Sequence, residues 1–336
     1  MPIASPAVGT EGLDERVAAV VAESRFSGVV RVDVGGETVL EQAHGWAHRA
    51  HRVPMTVDTR LATASATKSL TALLVLGLAA DGTLPLATTA RSLLGTDLPL
   101  IDDRVTVEHL LAHRSGIGDH VDEEGEIDAY VLDVPLHALA DTEAYLPVLD
   151  GRPPVFSPDE RFTYCNAGFV VLALLAERAT GTPFTDLVVE RVCRPAGMVD
   201  TAFLHSDALP ERTGLSYLEP DGDRTNLLHL PIRGTGDGGH FTTVADVHRL
   251  WASIDPDLAA LAWAPRSDDP DTGNRYGLGF WLHPSGSAVA MEGYDAGVSF
   301  RSVHDPATAT THTVMGGWTD AAWPVSGLLR ELLNDW

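Results

Sequence analysis

Apolar residues recur at helical spacing behind an acidic first turn in LDERVAAVVAESR (13–25), which predicts a helix. The period then shortens. SGVVRVDV, Gly35-Gly36 and ETVLEQAHGWAH predict a β-hairpin whose first strand is Gly28 to Val34. Near the other end, YGLGFWLH (276–283), SAVAMEGYD (287–295), GVSFRSVHD (297–305) and THTVMGGWT (311–319) are predicted as successive antiparallel strands separated by Gly, Pro and Asp. VSGLLRELLNDW (325–336) is predicted as a closing helix. Between these β-rich ends, LTALLVLGLAADG (70–82), VTVEHLLAHRSG (105–116) and AGFVVLALLAERATG (167–181) each predict a helix running to a terminal glycine. Strands at both ends with helices between them imply an α+β fold. In it, residues 1–75 and 233–336 form one domain with an antiparallel sheet flanked by helices, and 76–232 form an inserted, mostly helical domain. No internal repeat interrupts this plan.

Composition narrows the class. With 336 residues and 44% hydrophobic content, the chain can bury the core of one large or two interleaved domains. No apolar run reaches the roughly 18 residues of a membrane span, and MPIASPAVGTEGLDERVAAVV lacks a basic segment followed by an apolar one, so a cytoplasmic location is expected. Two cysteines, Cys165 and Cys193, make no disulfide framework. A formal charge of -24 repels phosphate backbones and anionic membranes, so neither nucleic acid nor membrane is an expected partner. The acidic run DEEGEID (122–128) reads as solvated surface or as a mobile rim over a site.

The basic residues carry the first chemical signal. Of the 23, only Lys68 is a lysine, and it stands three residues after Ser65 in S-A-T-K. In a helix that spacing puts hydroxyl and amine on one face. A serine hydroxyl is a weak nucleophile until a base takes its proton; a lysine can do so once desolvation or positive surroundings lower its pKa, whereas an arginine stays protonated. Tyr164 and Asn166 in RFTYCNAGFVV (161–171) are a second pair, two apart ahead of an apolar helix. Tyrosine can shuttle a proton, and asparagine can bond both a lysine and a substrate carbonyl. The same residues could equally be a core tyrosine and a helix N-cap.

S-x-x-K at 65–68 and Y-x-N at 164–166, together with HLLAHRSGI (109–117), PDERFTYCNAGF (158–169), RPAGMVDTAF (194–203) and GDGGHFTTVADVHRL (236–250), resemble serine β-lactamases and penicillin-binding proteins. The class C type, with its esterases and DD-peptidases, is the most similar. The resemblance spans nearly the whole chain in order. It implies an α/β domain around a helical insertion with the site at their interface, and a serine hydrolase or acyltransferase working through an acyl-enzyme on small esters or amides. Ser65 is then the nucleophile, Lys68 and Tyr164 share the proton, and Asn166 positions substrate. The family's third motif, Lys-Thr-Gly or His-x-Gly, falls on Met291-Glu292-Gly293. The backbone N–H groups of Ser65 and Tyr294 would form the oxyanion hole. A methionine offers no charge or donor, and Glu292 disfavours anions, so weak β-lactam turnover and a preference for neutral or cationic substrates are expected. The same departure fits a non-catalytic binding protein on this scaffold.

No cofactor or metal is implied. Gly234, Gly236 and Gly239 match G-x-G-x-x-G without a preceding strand and read as a tight turn, followed by a helix near Thr243 with Asp246 completing a capping box. His109 and His113 lack the glutamate of H-E-x-x-H and read as helix-terminal or core residues. There is no G-x-S-x-G. Cys165 is expected on the face opposite Tyr164 and Asn166, filling core.

Overall fold

A computed structural model describes residues 12–121, 125, 127, 132 and 134–333. The opening amphipathic segment folds as α1 (Leu13–Ser24) and leads into the hairpin of β1 (Gly28–Val34) and β2 (Glu37–His44). Three longer helices follow: α2 (Thr67–Ala80), α3 (Asn166–Thr180) and α4 (Val244–Ser253). The chain then returns to sheet as β3 (Ser267–Asp268), β4 (Arg275–Tyr276), β5 (Trp281–Leu282), β6 (Val289–Asp295), β7 (Val298–Asp305) and β8 (Thr310–Gly316), before α5 (Ala322–Leu333).

These strands form one antiparallel sheet in the order β2-β1-β8-β7-β6-β5-β4-β3. The two ends of the chain meet where β1 pairs with β8 from Gly28–Gly316 to Val34–Thr310. Strand alternation divides the side chains between two faces. Val30, Val32, Leu40 and Val314 pack against Leu13 and Val17 of α1 and Val325 and Leu329 of α5. Val29, Phe300 and Met315 turn the other way into a larger core shared with α2, α3 and α4.

Helices α2 and α3 are buried on nearly every side, from Thr67 to Leu76 and from Asn166 to Ala176. Helices without a polar face belong in the centre of a fold. Each fully buried Leu or Phe there contributes about 1.5–3 kcal/mol relative to exposure. Polar side chains on these two helices are therefore held in the interior, and that is where Lys68 and Asn166 are found.

Several elements differ from the sequence reading. Residues 105–116 hold only a five-residue helix, Val107–Leu111, and the described part of 112–165 contains only short helical turns. Prolines and glycines punctuate that stretch and stop helices. The expected single strand 276–283 is a tight hairpin of β4 and β5, turned at 277–280. Gly279 there has φ +81°, and a Cβ on it would lie 2.2 Å from the Ala72 Cβ of α2. The second strand of the first hairpin stops at His44, and Trp46–His48 pairs instead with Val53–Pro54. The closing helix begins at Ala322, three residues earlier than predicted. Thr243 does cap α4 by accepting from the Asp246 N–H at 3.3 Å. The Asp246 carboxylate does not complete a capping box, because it accepts from the Asp200 N–H, the Thr201 hydroxyl and Arg249.

Candidate active site

Ser65 lies in the tight turn Ala64–Ala66 that leads into α2, and Lys68 is the second residue of that helix. The three-residue spacing brings them together, with the Lys68 Nζ donating to Ser65 Oγ at 2.9 Å. Nζ also donates to Asn166 Oδ1 and to the Asp237 carbonyl, each at 2.7 Å. Lys68 is 2% exposed. An amine so deeply buried would cost several kcal/mol without partners, so these acceptors hold it in place. The residue before the serine, Ala64, has φ 46°, a left-handed conformation that costs about 1–2 kcal/mol for a residue with a Cβ. The turn is pinned from below. Thr67 donates to the Ala64 carbonyl at 2.8 Å, and the Nδ1 of His240 lies 2.9 Å from the Thr63 hydroxyl and 2.8 Å from that of Thr67.

His240 is fully enclosed, and burial pulls its pKa from 6.5 to about 3, so its ring is neutral. The sign of the linkage follows. The unfolded chain binds a proton near pH 6.5 that the folded chain refuses, so this stability is complete above pH 6.5 and is lost as pH falls toward 3. Guanidinium denaturation of the wild type should show about 2 kcal/mol less stability from this histidine at pH 5 than at pH 7. His240→Asn should flatten that slope; an equal slope in both proteins would contradict the assignment.

Tyr164 stacks on Trp281 with ring centroids 6.0 Å apart and packs against His113 at 4.4 Å. The Lys68 Nζ sits over the Tyr164 ring, 5.0 Å from its centroid. Asn166 is not an N-cap; it is the first residue of α3, after Cys165 at the cap position. The cap comes from far along the chain. Asp119 accepts from the backbone N–H of Asn166 at 2.6 Å and of Ala167 at 2.9 Å, and from Asn166 Nδ2 at 3.3 Å. Burial would raise the Asp119 pKa, but the neighbouring His120 ring and these backbone N–H groups outweigh it and bring it to about 2. The His120 ring lies between two carboxylates, with Nδ1 3.3 Å from Asp119 Oδ1 and Nε2 3.6 Å from Asp237 Oδ2.

The third motif lies on β6. Its neighbour β5 pairs only with Val289 and Ala290, so beyond them this edge of the strand is free to meet the Ser65 turn. The approach is close. A Cβ on Gly293 would fall 1.9 Å from the Thr63 carbonyl oxygen and 3.0 Å from the Ala66 nitrogen. Met291, expected to touch substrate, is 3% exposed, belongs to the large core and does not line the cavity. An apolar thioether on this inward face packs with its neighbours, so Met291 is a core residue and not the substrate contact expected from the motif. Glu292 lines the cavity and pairs with Arg301 on β7 at 2.8 Å. Tyr294 also borders the cavity, while its ring packs on Trp323 and its hydroxyl donates to Asp320.

Ser65, Tyr164, Asn166, Glu292, Gly293 and Tyr294 thus share one open cavity of about 900 Å³. Leu204, Leu209, Leu230, Phe241 and Val298 give it an apolar wall. Its described charged lining comprises Asp237, Asp269, Asp271, Glu292 and Asp295 against Arg161. Val121, Ile127 and Leu132 also border it, but the acidic residues of 122–128 lie outside the described residues. Among the described residues, no cluster of His, Cys, Asp and Glu could hold a metal ion. His109 bonds back to the N-cap of its short helix, His113 is a buried core residue, and Cys165 is buried in the core.

Asp119, His120, Asp237 and His240 were missed in the sequence. Asp237 stands in the glycine turn 234–239 and in the block GDGGHFTTVADVHRL (236–250) that carries the resemblance, neither of which assigned it a role, although it delivers a carbonyl to Lys68. Asp119 and His120 follow the block HLLAHRSGI (109–117) after one glycine, Gly118, and carry no periodic signal of their own.

Comparison with known proteins shows the family. The beta-lactamase family profile matches residues 13–323. Esterase EstB of Burkholderia gladioli is 33% identical over 271 residues, covering 69% of this chain and 66% of its own. A D-aminopeptidase of Brucella anthropi is 29% identical, covering 77% of this chain and 49% of its own. The Bacillus subtilis protein described as a putative penicillin-binding protein, PbpX, is 24% identical over 82% of this chain and 67% of its own. The chain therefore spans about half to two thirds of the curated relatives it matches. A penicillin-binding protein from Bacillus halodurans superposes with a TM-score of 0.86 at 30% identity, covering 94% of this chain and 99% of that one. Among the described residues no helix is long and apolar enough to cross a membrane. With its fold, its serine–lysine pair and a family match across nearly its whole length, this chain belongs to the beta-lactamase family.

Proposed function

We propose that the protein is a serine hydrolase that acts through a covalent acyl-enzyme on small ester or amide substrates. The observation that carries this reading is the buried Lys68 Nζ, 2.9 Å from Ser65 Oγ at the base of the cavity. Lys68 acts as the neutral amine, its two N–H groups on Asn166 Oδ1 and the Asp237 carbonyl and its lone pair toward Ser65; Ser65 Oγ bonds to the substrate carbonyl carbon while its proton passes to that lone pair, with Tyr164 sharing the transfer. The carbonyl oxygen, now negative, sits on the backbone N–H groups of Ser65 and Tyr294. The C–O or C–N bond to the leaving group breaks as that group takes the proton. Water then attacks the acyl carbon, Tyr164 acting as base, and the Ser65–acyl bond breaks with return of a proton to Oγ. Asn166 orients both Lys68 and the substrate carbonyl.

The cavity supports a substrate class. Its leucine-rich wall suits an apolar substituent, and its excess of carboxylates over the one described arginine disfavours an anionic one. Small neutral or cationic esters and amides fit better than carboxylate-bearing β-lactams. Cavity-lining residues from both ranges support a division into 1–75 with 233–336 and 76–232, the site lying at their interface. Buried free thiols at Cys165 and Cys193 support a reducing, cytoplasmic location. The acidic surface supports a small-molecule substrate over nucleic acid or membrane.

Stopped-flow release of the leaving group tests the reading. A neutral activated ester should give a burst stoichiometric with enzyme, and a cephalosporin at equal concentration should turn over more slowly. Absence of any burst, or faster cephalosporin hydrolysis, would contradict it.

A further inference from the structure

Two acceptors of Lys68, the Asn166 amide oxygen and the Asp237 carbonyl, lead to one pair of side chains. Asn166 Oδ1 accepts from Nζ only if the amide keeps one of its two orientations, and nothing in a bare amide selects between them. Asp119 selects. Its Oδ2 accepts from Asn166 Nδ2 at 3.3 Å and from the Asn166 N–H at 2.6 Å, which leaves Oδ1 directed at Lys68 at 2.7 Å. Capping alone needs no such residue. A side chain at the cap position of α3 would satisfy its first N–H groups locally, whereas a carboxylate from 47 residues away must be desolvated to do so.

Beside it, the His120 side chain is 3% exposed and lies between Asp119 and the carboxylate of Asp237, the residue whose backbone carbonyl is the second acceptor. Its Nδ1 lies 3.3 Å from Asp119 Oδ1, without the alignment of a hydrogen bond, and its Nε2 lies 3.6 Å from Asp237 Oδ2. We propose that Asp119 and His120 are positioning residues for the Ser65–Lys68 pair: Asp119 fixes the Asn166 amide with its oxygen on Lys68, and His120 holds Asp119 and Asp237 at a set separation. The inference rests on the hydrolase reading above. Neither residue touches Ser65, so both act through Lys68 and its acceptors.

The experiment is pre-steady-state acylation by p-nitrophenyl acetate of the full-length wild type, Asp119→Asn, Asp119→Glu, His120→Gln and the Asp119→Asn/His120→Gln double variant. Asp119→Asn keeps shape but places an amide where Asn166 needs only acceptors. Its acylation rate at saturating ester should fall by about 10–10²-fold, with apparent ester affinity changed by less than about threefold. Asp119→Glu should recover part of the rate. His120→Gln should lose less than Asp119→Asn, and the double variant should be no slower than Asp119→Asn alone, because both act on the same acceptors. Thr243→Ala removes the cap of α4 and serves as a control for lost stability. Wild-type acylation in Asp119→Asn, or an equal loss in Thr243→Ala at matched denaturation midpoint, would overturn the proposal. Should Asp119→Asn not fold, wild-type acylation in His120→Gln overturns it. Failure of the hydrolase reading gives a different result: no Ser65 acylation in the wild type itself.

Discussion

Lys68→Arg should lower the rate of Ser65 acylation by about 10²–10⁴-fold, the range a positioned general base supplies. The substitution keeps a cation and hydrogen-bond donors, so a merely structural role for Lys68 would tolerate it better than a catalytic one. Two physical differences decide the outcome. A guanidinium stays protonated and cannot accept the serine proton. It is also larger than the lysine amine that fits between Ser65 Oγ, Asn166 Oδ1 and the Asp237 carbonyl at 2.7–2.9 Å, in a place that is 2% exposed. Overpacking of that kind costs about 1–3 kcal/mol of stability, which denaturant unfolding would measure separately. Stopped-flow acylation with an activated ester reads the catalytic part, and a rate within about twofold of wild type would remove Lys68 as the base.

Gly293→Ala should lower kcat/KM by about 10²-fold while leaving Ser65, Lys68, Tyr164 and Asn166 untouched. The added methyl would fall 1.9 Å from the Thr63 carbonyl oxygen, which is backbone and cannot rotate away. β6 must therefore shift relative to the Ser65 turn. The oxyanion reading needs the N–H groups of Ser65 and Tyr294 at a fixed separation, one on each of those elements, so a shift of about 1 Å spoils it. β6 is tied to β7 along its whole length, from Val289–His304 to Asp295–Val298, so the sheet itself should survive. Circular dichroism and the steady-state rate with a neutral ester check both halves. An unchanged kcat/KM would show that this contact does not set the oxyanion geometry.

How much of this was legible in the sequence depends on the range of the interaction involved. α1, the first hairpin and α3 follow from local periodicity, and Gly181 ends α3 in a left-handed conformation as its glycine suggested. The approach of Ser65 and Lys68 was legible for the same reason, since it needs only three residues in a helical turn. The hairpin of β4 and β5 was not. Its break depends on Gly279 pressing against Ala72, a contact about 200 residues long that looks like ordinary strand in YGLGFWLH. Asp119 was hidden likewise, because a cap supplied from across the fold leaves no mark beside the helix it caps. The inward face of Met291 is set by the register of β6 against β7, with Met291 opposite Ser302, and a motif match alone does not give it. Resemblance to a family located the third motif, and packing decides which of its side chains reach the cavity.

The central claim is that Ser65 forms the covalent bond to substrate. Intact-mass spectrometry after brief incubation with an activated acyl ester, followed by peptide mapping, tests it most directly. The account predicts one acyl adduct per chain, mapped to Ser65 and absent from Ser65→Ala; turnover without an adduct, or an adduct that persists in Ser65→Ala, would contradict it.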